Sequence, residues 1–262
     1  MTDTDQSSNS LPSIVTIGEP RLAQPAAPVK VAWINTPRFR KCLKTLIYTM
    51  VENLGIGIAA PQVGWYRRFF VMMLDDPLPA GQQGTALSVW VNPEIVATSD
   101  EYNWAWEGCL SVPNLRGWIR RPSAIAVRGY NEIGEPVSRE FTGWMARVFQ
   151  HEYDHLDGML FPYRAVDPKH LVTLEELARR QEWPADWPAP GARDAAMGQV
   201  LEESRIMPRT ETVIPDSMFK KAARMLSSAR PATDEVKPPD EKPVDKKAAP
   251  KAPAKKAAAK PE

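Results

Sequence analysis

Two of the three histidines in this chain stand four residues apart, in His151-Glu152-Tyr153-Asp154-His155. On a helix that spacing puts His151 and His155 one turn apart on one face, where two imidazoles bind one metal ion. Glu152, next in sequence to His151, is then placed to act as general base on a water held there. With 3 His in 262 residues, two at ligand spacing favour a metal site over an ordinary solvated helix. Cys109, in Glu107-Gly108-Cys109-Leu110-Ser111, is distant in sequence, yet a sheet packed on a helix brings such residues together. One thiolate and two imidazoles make three protein ligands and leave a fourth position open, as in catalytic zinc sites. The rival reading makes Cys109 a nucleophile with His151 as its base. It leaves His155 and its spacing without a role. A third stretch, Gly55-Ile56-Gly57-Ile58-Ala59-Ala60-Pro61-Gln62, is small and glycine-containing, which lets backbone approach a ligand closely. It lacks the Lys-Ser/Thr ending of a phosphate loop. Gln62 reads equally well as a polar substrate contact or a turn residue.

These residues need elements to hold them. The histidine pair belongs to a helix read over residues 143–158. An earlier helix opens at Thr36-Pro37, an N-cap followed by proline at the first helical position, and continues through Phe39, Cys42, Leu43, Leu46, Ile47, Met50 and Leu54 at helical spacing. Cys42 falls on its apolar face as a packed thiol and is assigned no chemistry. Residues 13–17, 69–74 and 88–96 read as strands, with a Pro/Gly/Gln loop over 75–84. Cys109 is placed in a loop between Gly108 and Ser111, and Arg120-Arg121-Pro122 marks a turn. Residues 124–130 and 135–142 form a hairpin around 131–134. Strand runs beside isolated helices, without βα alternation, predict an α+β fold with antiparallel strands packed around the histidine helix. Beyond Phe161 the character changes. Helical spacing over 168–181 is followed by a Pro/Trp linker over 183–191 and helix candidates over 199–204 and 216–228. The expected organisation is an arm over 1–12, a catalytic domain over 13–165, a helical extension over 166–229 and a disordered Lys/Ala/Pro tail over 230–262.

The net charge of +1 gives no global pull toward DNA or a membrane surface. Two cysteines are too few for a disulfide framework and fit a reducing compartment. Residues 1–11 are polar and acidic, unlike a signal peptide, and no apolar run approaches the roughly 18 residues of a membrane span. The expectation is a cytoplasmic protein. The cationic run at 246–260 reads as solvated chain, with ribosomal RNA as a minority partner.

Three motifs in order, GIGIAAPQ at 55–62, EGCLS at 107–111 and HEYDH at 151–155, resemble those of the peptide deformylase family. A lone HExxH is shared by many zinc peptidases, but the three together are specific. The likeness covers roughly 13–165, including the start at Gly18-Glu19-Pro20-Arg21-Leu22. It implies hydrolysis of the N-formyl group of formyl-methionine on nascent chains, releasing formate. It implies Cys109, His151 and His155 as ligands of a ferrous ion that zinc, nickel or cobalt can replace. Glu152 would be the base, with the Gln62 amide and the Leu110 N–H stabilising the oxyanion. Ile56, Gly57, Gly108, Trp144 and Val148 would border the methionine pocket, the last two reading equally as core residues. Arg147 stands where many bacterial members carry an apolar residue, which bears on the shape of that pocket. Glu107 and Arg116 match charged family positions and would form a bracing ion pair. The alternatives are an HExxH peptidase, and a lapsed homologue that binds the ribosome without turnover.

Overall fold

Six consecutive apolar residues, Phe69–Leu74, form a strand (β2) buried on both faces. Side chains alternate across a strand, so such a run requires a cover on each side. Phe69 and Val71 pack with Phe39, Leu43, Leu46 and Met50 of helix α1, Pro37–Glu52. Phe70, Met72 and Leu74 pack with Ala146, Val148, Phe149 and Leu156 of helix α2, Gly143–Leu156. The computed structural model describes residues 11–76 and 86–206, all within the unit Met1–Pro231.

Between the helices lies an antiparallel sheet in the order β1 (Gly57–Ala59), β2, β3 (Ala86–Thr98), β6 (Ala124–Tyr130) and β7 (Pro136–Thr142). A second antiparallel sheet has the order β8 (Leu171–Thr173), β5 (Val112–Pro122), β4 (Tyr102–Cys109) and β9 (Leu201–Glu202). The fold is α+β, as the segment pattern predicts. The second sheet is also covered twice. Asn103 and Glu107 reach Arg147 and His151 of α2. Trp104 and Trp106, at the alternate positions, join Trp118 against Leu177, Trp183, Ala189, Ala192 and Ala195.

Several expectations are corrected. The most consequential is that Cys109 ends strand β4 rather than sitting mid-loop, and that Arg120-Arg121-Pro122 lies within β5. Asn103, Glu107 and Arg121, polar yet buried, hid this hairpin from a hydrophobic pattern. Residues 13–17 form no strand. They run extended, with the Val15 N–H donating to Gln62 O (2.7 Å) and the Ile17 N–H to Ser111 O (2.7 Å), so they tie two loops together. Helix α1 forms on the expected cap, Thr36 Oγ1 accepting from the Phe39 N–H (3.2 Å), but stops at Glu52. Leu54 is left-handed (φ 56°) and 92% exposed rather than apolar-face. Cys42 is half-buried, its thiol pushed up by burial, consistent with packing.

Residues 168–181, expected as one helix, break into 3-10 turns at Pro168–His170 and Arg180–Glu182 flanking β8 and a short α3, Leu174–Ala178. Pairing of Val172 with Arg116 of β5 outweighs helical propensity there. Residues 199–204 likewise hold β9 and the start of α4, Glu203–Ile206. The helix expected over 216–228, the tail over 230–262, residues 1–10 of the arm and residues 77–84 of the loop lie outside the described residues.

Candidate metal centre

The last two turns of α2 present His151, Glu152 and His155, and the end of β4 presents Cys109. One ligand atom each from Cys109, His151 and His155 lies within 4.8 Å of the other two. Cys109 Sγ is 3.2 Å from His155 Nε2. Metal–nitrogen and metal–sulfur bonds of about 2.1 and 2.3 Å at tetrahedral angles need ligand separations of about 3.4–3.6 Å. The cluster is therefore of the right size for one cation. Its electrostatics agree. Burial alone would push the His151 imidazole down, but Cys109 and Glu107 hold it well above its usual value. Burial and the neighbouring His151 push His155 well below. Cys109 and Glu107 thus favour positive charge at His151.

His151 and Cys109 are braced by neighbours, whereas the buried His155 Nδ1 has no partner among the described residues. His151 Nδ1 meets Glu107 Oε2 at 3.0 Å, which turns Nε2 toward the cluster. Glu107 also takes Arg121 through both oxygens (2.6 and 2.9 Å) and Arg147 Nη1 through Oε1 (2.5 Å). Burial would raise the Glu107 carboxyl, but the Arg121 guanidinium, with His151 and Arg147, holds it well below the usual carboxylate range. Arg121 continues to Asp154 Oδ2 (2.8 Å), and Asp154 takes Arg164 at 2.6 Å. This corrects the expected pairing of Glu107 with Arg116. The Arg116 guanidinium packs instead over Gly108, where a Cβ would lie 2.5 Å from its Cζ. Arg121, Asp154 and Asn103 escaped the sequence reading, though Asp154 lies inside HEYDH, three residues from His151.

Gln62 follows β1 in a 3-10 turn, Ala60–Val63, and is 2% exposed. Its Oε1 accepts from the Ala59 N–H (2.8 Å), which turns Nε2 toward Ser111 Oγ (3.2 Å) and Cys109 Sγ (3.5 Å). The Ser111 N–H also donates to Cys109 Sγ (3.4 Å). Leu110 is half-buried beside Cys109. Glu152 is 4% exposed; burial lifts its carboxyl to about 7, and its Oε2 has no partner among the described residues. It rests on Gly57, where a Cβ would lie 2.8 Å from the Glu152 Cδ. A side chain at that position would force the Glu152 carboxylate to move. Ile56 is 44% exposed at the rim. Val148 is buried in the core and Trp144 packs half-buried against the same cluster. A donor set of this kind, beside a buried acid with a spare oxygen, suits hydrolysis assisted by a cation.

The family model described as polypeptide deformylase matches residues 11–170. The chain belongs to the polypeptide deformylase family. It is a metal-dependent hydrolase that removes the N-formyl group from nascent peptides. The match ends before β8. Among curated relatives, peptide deformylase 1 of Bordetella pertussis is 40% identical over 157 residues, which is 59% of this chain and 88% of that one. Peptide deformylase of Thermotoga neapolitana is 40% identical over 164 residues, 61% of this chain and 90% of the relative. A crystal structure of a class I type b peptide deformylase from Acinetobacter baumannii, bound to Met-Ala-Ser, superposes with a TM-score of 0.54. It is 36% identical and covers 59% of this chain and 98% of its own. No helix among the described residues is long and apolar enough to cross a membrane.

Proposed function

We propose that Cys109, His151 and His155 hold a ferrous ion, replaceable by zinc, nickel or cobalt, and that Glu152 is the acid–base residue of deformylation. The observation that carries this reading is a buried Glu152 oxygen with no partner among the described residues, on the residue next in sequence to one of the three clustered ligands. Mixed thiolate and imidazole donors suit these late first-row ions. Such a cation supplies an acidic water and polarises the formyl oxygen. Glu152, lifted to about 7 by burial, takes a proton during attack on the formyl carbon and returns it to the departing amine. The Gln62 amide, its oxygen tied to Ala59, and the Leu110 N–H stabilise the charge developing on the formyl oxygen. Formylated N-termini of nascent chains are the substrate, with the methionine pocket bordered by Ile56, Gly57, Gly108, Trp144 and Val148. The peptide backbone pairs along β1, the outermost strand of its sheet. Two free thiols, Cys42 and Cys109, support a cytoplasmic location, and the ribosome is the implied partner.

The test is formate release from formyl-Met-Ala-Ser, with Met-Ala-Ser as control. Turnover is expected for the formylated peptide alone, to vanish on chelation and to return with ferrous ion or zinc. Cleavage of the control at a peptide bond would make the site a peptidase centre.

A further inference from the structure

We infer that Arg147 is a positioning residue for His151, and that β9, through Asn103, is the element that holds Arg147 in place. Arg147 stands one turn before His151 on α2 and is 1% exposed. Its guanidinium forks. Nη1 donates to Glu107 Oε1 (2.5 Å) and Ile119 O (3.0 Å), and Nη2 donates to Asn103 Oδ1 (2.5 Å) and Asn103 O (2.9 Å). Glu107 in turn holds His151 Nδ1. One side chain on α2 thus grips β4 at Asn103 and Glu107 and returns that constraint to a ring on its own helix. The planar fork makes the double grip possible; a lysine ammonium, a single point of charge, cannot span both.

The far end of this grip rests on chain beyond the family match, which ends at residue 170. Strand β9 pairs with β4 at Asn103↔Glu202 and Trp104↔Leu201. Two residues of pairing are weak by themselves, and side chains reinforce them. Ser123 Oγ donates to Glu202 Oε2 (2.8 Å). Glu203 takes Arg120 through both oxygens (2.7 and 2.8 Å) and the Trp104 indole N–H (3.1 Å). Burial works against charge on Arg147, and the acids that counter it are Glu107 and, from β9, Glu202. Without β9 the Asn103 end of β4 becomes a free edge, and the grip on Glu107 loses its anchor. Outer contacts of this kind set how tightly a ligating histidine binds its metal.

The test loads the full chain with zinc and follows its loss to a chelator, with kcat and KM for a formylated tripeptide measured on the same samples. Arg147→Lys keeps the charge and loses the fork. Its zinc retention is expected to fall about 10–100-fold, with kcat reduced and KM unchanged. Glu203→Gln alters the half-exposed pair with Arg120, touches no ligand, and keeps the test decisive if Arg147→Lys does not fold. It is expected to weaken zinc retention less, in the same direction. A lower melting temperature with wild-type zinc retention and kcat, in both variants or in Glu203→Gln alone where only that one folds, would overturn the inference. An effect confined to Arg147→Lys would remove β9 from it. The inference rests on His151 as a ligand, so His151→Ala is the control. Zinc retained in His151→Ala defeats the ligand reading itself, whereas zinc lost there but kept in Arg147→Lys defeats only the positioning role.

Discussion

Glu152 sits where a protein gains nothing structural from an acid. It is buried, its Oε2 has no partner among the described residues, and its carboxyl is lifted to about 7. A group with a pKa near the working pH exchanges protons most effectively during turnover. Glu152→Gln keeps the shape and all three ligands but cannot accept a proton. Turnover is expected to fall roughly 10²–10⁴-fold, while metal content measured by atomic emission stays at the wild-type level. Turnover within a factor of a few of wild type would mean that some other group moves the proton. Gly57 belongs to the same argument, since a side chain there would force this carboxylate to move. The sequence leads one to expect close approach of backbone to a ligand along 55–62; at Gly57 the immediate neighbour is the Glu152 side chain.

At the scale of elements, α2 and the β4–β5 hairpin are joined by buried charge. Glu107 and Asp154 face Arg121 and Arg147, all of them 4% exposed or less. Such a set contributes little net stability when complete, because desolvation offsets attraction. Removing one member is different, since it strands its partners in a dry interior. Arg121→Met leaves Glu107 and Asp154 each short of a guanidinium and is expected to cost roughly 3–5 kcal/mol, read from denaturant unfolding of the metal-loaded protein. A loss below about 1 kcal/mol, the range of exposed pairs, would show that solvent reaches this network. The same charges explain why the hairpin was hard to see in the sequence. Asn103, Glu107 and Arg121 occupy interior positions that a hydrophobic pattern assigns to solvent, so a strand became a turn.

For the whole molecule, the described C-terminal residues are part of the second sheet. Leu177, Trp183, Ala189, Ala192 and Ala195 cover Trp104, Trp106 and Trp118. Three buried tryptophans remove roughly 450–750 Å² from water. Re-exposing half of that costs about 6–9 kcal/mol, comparable with the whole stability of an ordinary domain. A chain ended at Ala165 is therefore expected to be insoluble or unfolded by circular dichroism. A chain ended at Ser228 keeps all of these residues and is expected to retain its melting temperature and its formyl-peptide turnover. A soluble, active protein ending at Ala165 would mean that the tryptophan cluster finds another cover.

The histidine–glutamate part of the chemistry was legible in the sequence because it rests on local spacing. Helical periodicity alone places His151, Glu152 and His155 together, and the capped, periodic run after Thr36 gives helix α1. The run at 69–74 and the hairpin around 131–134 were equally plain, since a continuous apolar stretch or a turn between two strands needs no distant partner to be recognised. Only the tertiary structure decided which cations Glu107 holds, because Arg121 and Arg147 arrive from a neighbouring strand and a helix far along the chain. It alone decided that residues 171–173 and 201–202 become strands, since short segments take their conformation from the sheet edge they meet rather than from their own weak propensity.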